Sequence, residues 1–340
     1  MTLIRAWAAQ KAGGPLEPYE YDPGPLGAEE VETAIEYCGI CHSDLAMLGN
    51  EWGMSTYPFV PGHEAIGRVV ALGEIAREKG LKTGQRVGVG WNARSCLHCR
   101  YCLQGDQHLC TTVQPTIVGH HGAFAERVRA HWVWSVPIPD GLDPSQSGPL
   151  LCGGITVFSP LLSHDVAPIK RVGVIGIGGL GHLAIKFSNA WGCEVTAFTS
   201  SMSKADEAKS FGAHHVLSSR DPQAMKSAAG SLDLVLFTAS ASMDWDAVLS
   251  LLTPKGRLHI VGAVPEPIPV PAIELISRQM DVSGSPTGSR AAIDTMLDFA
   301  VRHHVAPKVE HFPMSRVNEA MDHLRAGKAN YRIVLDADFS

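Results

Sequence analysis

The segment Val172-Gly-Val-Ile175-Gly176-Ile-Gly178-Gly179-Leu180-Gly181, running into a helix-forming stretch up to Ala190, narrows the fold more than any other feature of this chain. A short β-type run, a G-x-G-x-x-G loop and a helix in direct succession open a βαβ unit, and a parallel strand has to follow. Glu194-Val-Thr-Ala-Phe-Thr199 supplies it. The first glycine permits the tight turn, the second lets a pyrophosphate approach the backbone, and the third lets helix and strand pack closely. The phosphates then lie at the positive end of the helix. The alternation continues with a helical Ala205–Phe211 and strands at His215-Val-Leu217, Leu232–Phe237 and Arg257–Val261. This order predicts a parallel sheet with helices on both faces. It also predicts a dinucleotide held by Gly176, Gly178, Gly179, Leu180 and Gly181.

The end of the second strand selects the dinucleotide. A site for NAD usually carries an acid there, bonded to the ribose hydroxyls. This chain reads Thr199-Ser200-Ser201-Met202-Ser203-Lys204, with no carboxylate. The hydroxyls of Ser200 and Ser201 and the ammonium of Lys204 suit a 2′-phosphate, which an acid would repel, so NADP(H) is expected. The plainer alternative is a solvated turn in which Ser203 caps the next helix.

Residues 1 to about 150 have another texture. Short β-type runs such as Glu32–Tyr37 and Gly67–Leu72 are punctuated by Gly and Pro, which predicts a loop-rich β domain. A helix is expected over 291–302 and a last strand over 331–335. A length of 340 residues suits about two domains. The net charge of −6 argues against nucleic acid or an anionic membrane as partner. The start Met-Thr-Leu-Ile-Arg-Ala-Trp lacks the pattern of a signal peptide, and no apolar run reaches the roughly 18–20 residues that span a bilayer. A cytoplasmic location is therefore expected.

Within the β-rich part, Cys96, Cys99, Cys102 and Cys110 are spaced C-x2-C-x2-C-x7-C. Four thiolates suit tetrahedral zinc, and a closed shell of four cysteines is a structural site. An iron–sulfur cluster is the alternative, though the C-x3-C-P ending of the bacterial cluster motif is missing. Disulfides are disfavoured without secretion. Cys41 in Cys38-Gly-Ile-Cys41-His-Ser-Asp44, His63 in Gly62-His63-Glu64 and Cys152 in Pro149-Leu-Leu-Cys152-Gly-Gly are further possible ligands, but their spacing alone cannot join them.

Taken in order, these segments, the cysteine run and the glycine loop resemble the zinc-dependent medium-chain alcohol dehydrogenases. The Cys152-Gly-Gly-Ile-Thr-Val segment and the Thr-Ser-Ser-x-Ser-Lys loop look like the cinnamyl alcohol dehydrogenase branch. Tyr37–Leu45, Asn50-Glu-Trp-Gly and Gly173–His182 are similar to bacterial NADPH-dependent aldehyde reductases of broad chain-length range. The likeness implies an α/β protein in which residues 1–152 and 291–340 form a GroES-like catalytic domain and 153–290 an inserted Rossmann domain, with the active site in the cleft. It implies two zinc ions per chain, one of them catalytic on Cys41, His63 and Cys152, with water, substrate oxygen or transiently Glu64 in the fourth place. Asp44 would orient His63, and Ser43 would contact the reacting oxygen. His42 would face the pyrophosphate. Thr156 would lie near the nicotinamide, with Gly262 and Ser285 also on the cofactor and Ser285-Pro-Thr287 closing that side. Arg332 matches an arginine that approaches the pyrophosphate. Trp52, Tyr57, Phe59 and Trp91 are possible pocket walls or simply core. Cys38 and Cys193 match no ligand and are expected in the core. Where many relatives carry a relay histidine, this chain has Ala46.

The resemblance implies reversible reduction of aldehydes to primary alcohols by a homo-oligomer, a dimer being favoured. A polyol or secondary-alcohol dehydrogenase is the nearest rival. A zinc-free quinone or enoyl reductase and a non-catalytic NADP-binding sensor with structural zinc alone are more distant ones.

Overall fold

A computed structural model of the chain describes residues 3–339, and these fall into two compact units. One runs up to Cys152 and resumes at Gly288; the other is Gly153–Thr287.

The second unit is a six-stranded parallel sheet. Its strands are β1 Arg171–Ile175, β2 Glu194–Thr199, β3 His215–Ser218, β4 Leu232–Phe237, β5 Leu252–Ile260 and β6 Asp281–Gly284. They lie in the order β3-β2-β1-β4-β5-β6, with Val172 opposite Val195 on one side and Leu234 on the other. Parallel strands covered on both faces carry unbroken apolar runs. That is why Val172, Val174 and Ile175 of β1 and Leu234, Val235, Leu236 and Phe237 of β4 are buried, while β3 and β6 at the edges are only partly covered. Helix Gly181–Trp191 packs over β1 and β2 and ends on Gly192 at φ +100°, the left-handed conformation a helix stop favours. Because all six strands run the same way, Gly176, Ser200, Ser219, Thr238, Gly262 and Ser285 stand at one edge of the sheet. Ligands of open α/β sheets bind outside that edge.

The first unit is built on a mixed sheet. Strands Val309–Pro313, Arg332–Asp336, Glu30–Ile40, Ala65–Leu72, Arg86–Val89 and Val136–Pro137 follow one another across it, and Arg127–His131 also pairs with Glu30–Ile40. Its core joins Ile35, Ile40, Met47, Phe124, Met314 and Leu335. Helix Arg290–His303 belongs here, which moves the expected boundary from 291 back to Gly288. The cause is local: Ser289 caps that helix by accepting from Ala292 N at 3.2 Å, and Arg290 donates to the Val133 carbonyl at 2.6 Å. Among the described residues no helix is long and apolar enough to cross a membrane.

Candidate metal centres and dinucleotide site

Two groups of donor side chains gather in the first unit, each with its ligand atoms within 4.8 Å of one another. One is Cys96, Cys99, Cys102 and Cys110. Leu97 at φ +58° turns the chain so that the backbone N–H of Cys99 reaches back to Cys96 Sγ at 3.3 Å. The N–H of Cys96 bonds Cys110 Sγ, also at 3.3 Å. Cys96 and Cys102 sulfurs are 4.0 Å apart. Tetrahedral zinc with bonds of about 2.3 Å needs sulfurs about 3.8 Å apart, so the set fits that ion. The thiols are tuned unequally. Burial pushes Cys110 up, but N–H and hydroxyl donors from Cys96 and Thr112 outweigh it and hold it at about 6. Burial and the neighbouring thiols push Cys102 to about 12.

The other group is Cys41, His63, Glu64 and Cys152, all buried. Cys41 follows strand Glu30–Ile40, His63 and Glu64 precede strand Ala65–Leu72, and Cys152 follows the turn Gly148–Leu151. The antiparallel pairing of those two strands brings the first three residues together. Asp44, fully buried, ties the loops. Its carboxylate accepts from Cys41 N at 2.9 Å and from Gly62 N at 2.9 Å, and it meets His63 Nδ1 at 3.0 Å. Although burial opposes a charged ring, Asp44 holds the His63 pKa well above its usual value. With Nδ1 taken, His63 Nε2 is left buried and without a partner, as is Glu64 Oε2. Cys41 and Cys152 sulfurs lie 3.9 Å apart as free thiols. Two sulfurs at tetrahedral spacing, with an imidazole nitrogen that lacks any other partner, fit a divalent metal such as zinc.

Arg332 is buried against Glu64, 268 residues away in sequence, in an ion pair no spacing rule could have suggested. Burial raises the Glu64 pKa, and Arg332 opposes that rise. Gly39 makes room: a Cβ there would lie 2.0 Å from Glu64 Oε2. Ser43 is half-buried with Oγ 3.7 Å from Cys41 Sγ, and His42 is exposed. Cys38 and Cys193 are buried outside both donor groups.

The four aromatic residues divide. The Trp91 ring stands edge-on to His63 at 5.1 Å, and Trp52 stands edge-on to Trp91 at 6.2 Å. Phe59 is core instead: it is 3 % exposed and exchanges both backbone hydrogen bonds with Ala9. Tyr57 packs against the same core and donates its hydroxyl to the Leu48 carbonyl at 2.9 Å. For these two rings the core alternative is the one the packing favours. Trp91 packs against that core too, but only Trp91 and Trp52 of the four extend toward His63.

In the second unit, Gly176 adopts φ +93°, and a Cβ on Gly181 would overlap the Gly176 carbonyl at 1.8 Å. Only glycine serves at either place. A Cβ on Gly178 would meet nothing within 4 Å, which leaves the backbone open to a ligand. Gly179 and Leu180 lead into the helix. A cavity of about 710 Å³ adjoins this loop, lined by Gly176, Thr199, Ser200, Lys204, Ser219 and Arg220 among others. Lys204 Nζ donates to the Ile177 carbonyl at 3.2 Å. Ser201 is absent from the lining; its hydroxyl pairs with that of Ser203 at 2.8 Å. Ser219 and Arg220 had escaped the sequence reading. Their position just past β3 was the available signal, because the ends of β2 and β3 are neighbours: Ser219 N donates to Thr199 O at 2.8 Å. Asp244 also lines the cavity, with its carboxylate engaged in capping helix Trp245–Ser250. Thr156 is buried in helix Gly153–Ser163, and Gly262 follows β5.

A GroES-like unit carrying two candidate metal-ligand sets, together with a Rossmann-type parallel sheet, defines a medium-chain dehydrogenase fold. Residues 27–140 match the Alcohol dehydrogenase GroES-like domain and residues 179–302 match Zinc-binding dehydrogenase. The chain belongs to this family of zinc-binding alcohol dehydrogenases, which are oxidoreductases. It is 52 % identical to the aldehyde reductase AdhA of Synechocystis sp. over 98 % of both chains. Among solved structures, it is similar to a cinnamyl alcohol dehydrogenase from Sorghum bicolor, with a TM-score of 0.93 and 37 % identity over 98 % of both chains. It also resembles the Helicobacter pylori cinnamyl alcohol dehydrogenase complexed with NADP(H), with a TM-score of 0.89 and 30 % identity over 98 % of both chains.

Proposed function

We propose that this chain is a zinc-dependent, NADP(H)-linked enzyme that interconverts aldehydes and primary alcohols and works mainly as an aldehyde reductase. The observation that carries the reading is the buried convergence of Cys41, His63 and Cys152, with His63 Nε2 left without a partner. Three protein ligands would leave an open position, the pattern of a catalytic rather than a structural zinc. The zinc would supply Lewis acidity to a carbonyl oxygen, and the reduced nicotinamide would supply the hydride.

The chain's own residues do the rest. Asp44 fixes the tautomer and direction of His63, and Arg332 holds one oxygen of Glu64, whose carboxylate belongs to the same donor group. Ser43, with Oγ 3.7 Å from Cys41 Sγ, would give a proton to the reduced oxygen. Trp91 and Trp52 supply an aromatic surface beside His63, which favours apolar aldehydes over polyols. Preference for NADP(H) is supported by the cavity at the ends of β2 and β3, where Ser200, Lys204 and Arg220 meet and the one lining acid is committed as a helix cap. Names of relatives agree, since one is an aldehyde reductase and another was solved with NADP(H). A steady-state screen of aliphatic and aromatic aldehydes against polyols and ketones, each with NADPH and NADH, tests the proposal. Higher kcat/KM for aldehydes with NADPH is expected. Preference for polyols or for NADH in zinc-replete protein would overturn it.

A further inference from the structure

A directed chain of hydrogen bonds crosses the second unit. Arg257, on β5, brings Nη1 to 2.7 Å from His164 Nδ1, and its Nη2 pairs with Asp281 Oδ2 at 2.7 Å. His164 Nε2 lies 3.0 Å from His259 Nδ1, and His259 Nε2 lies 2.9 Å from Ser285 Oγ. A guanidinium has no acceptor, so His164 accepts through Nδ1, the nearer ring nitrogen (Nε2 is 3.4 Å from the same Nη1), and its proton sits on Nε2. His164 then donates to His259 Nδ1, which places the His259 proton on Nε2, donated to Ser285. Ser283 Oγ, 2.9 Å from His259 Nδ1, can donate to the same nitrogen and is compatible with this tautomer. Every link follows from the first. Ser285 Oγ is therefore an acceptor from within the fold, and its own proton is left for something else. Among the described residues nothing takes it.

Ser285 directly follows β6, at the ligand-binding edge of the sheet. The phosphate loop follows β1, and the cavity with Ser200 and Arg220 lies at the ends of β2 and β3. A dinucleotide with its adenosine there must extend its other half past β1 toward β4, β5 and β6. Three strand spacings from β1 to β6 come to about 14 Å, within reach of that half. We infer that His259, held by His164 and Arg257, is a positioning residue that aims the Ser285 hydroxyl proton at an acceptor on the nicotinamide half of the bound cofactor. The inference rests on the dinucleotide reading above.

Equilibrium binding to the zinc-loaded protein tests it, with NADPH and with 2′,5′-ADP, which lacks the nicotinamide half. Ser285→Ala and His259→Leu should each weaken NADPH about 3- to 10-fold, the range of one hydrogen bond, and leave 2′,5′-ADP unchanged. His259→Gln should restore NADPH binding, because its amide can accept from His164 and donate to Ser285. Nitrogen-15 NMR should show His259 protonated on Nε2. The inference is overturned if Ser285→Ala binds NADPH like wild type, if His259→Leu weakens both ligands equally, or if His259 carries its proton on Nδ1. Failure of the wild type to bind either ligand would instead reject the dinucleotide reading itself.

Discussion

At the level of single residues, the buried Asp44 carboxylate does most to shape the metal centre, since it bonds two loop amides and His63 at once. Asp44→Asn would set an amide N–H₂ against groups that all donate. Zinc affinity at this centre should fall about 10- to 100-fold, the usual cost of losing a partner of a metal-bound histidine, as read by competition with a chelator. Ser43→Ala should lower turnover by about 10²–10⁴, the contribution of a positioned proton donor, with zinc content intact; wild-type turnover across pH 6–9 (roughly the range in which such a donor titrates) would move protonation to water or His42. Ala46 cannot be used to restore a relay. It is 1 % exposed, so a histidine there overpacks the helix His42–Leu48, at about 1–3 kcal/mol. Arg220→Ala should lower kcat/KM for NADPH about 10- to 100-fold, as expected for a charge-assisted pair, and leave NADH unaffected. An equal loss with both cofactors would place Arg220 outside the 2′-phosphate site.

Secondary-structure elements act through their ends. On the proposed function the end of β2 selects the cofactor, so Ser200→Asp should shift preference toward NADH by repelling a 2′-phosphate; kinetic constants with both cofactors decide. Strands β5 and β6 and the end of helix Gly153–Ser163 hold the two histidines of the relay, and this has a consequence for pH. Burial, then the neighbouring His164 and Arg257, lower the His259 pKa to about 4. Burial and Arg257 lower that of His164 as well, against a smaller opposing pull from Asp281 and Asp165. A depressed histidine binds its proton only in the unfolded state between about 6.5 and 4. Its stabilisation is therefore complete above about pH 6.5 and is lost as the pH falls toward 4. Urea midpoints at pH 7.5 and 5 should fall further in wild type than in His259→Leu; parallel falls would mean the relay adds no pH-dependent stability.

For the whole molecule the expectation is two zinc ions per chain with separable roles. Cys152→Ser should lose one zinc and the activity yet remain folded. Cys99→Ser should destabilise the protein, because a closed structural site contributes its binding energy to folding. Elemental analysis finding one zinc in active protein would reject this division. The parallel sheet, the glycine loop and the four-cysteine lobe were legible in the chain because their determinants are local: apolar runs flanked by glycines, and cysteines two residues apart. Glu194–Thr199 and Leu232–Phe237 are strands over the ranges their residues suggested. Cys41, His63 and Cys152 could be joined in advance only through resemblance, because strand pairing rather than spacing closes the gap between them. The Glu64–Arg332 pair, the burial of Phe59, the place of Arg220 in the cavity beside the glycine loop and the Arg257–His164–His259–Ser285 chain of hydrogen bonds were decided by tertiary structure alone. Each depends on which strand lies beside which, and on which atom reaches an acceptor first, quantities that no local pattern of residues encodes.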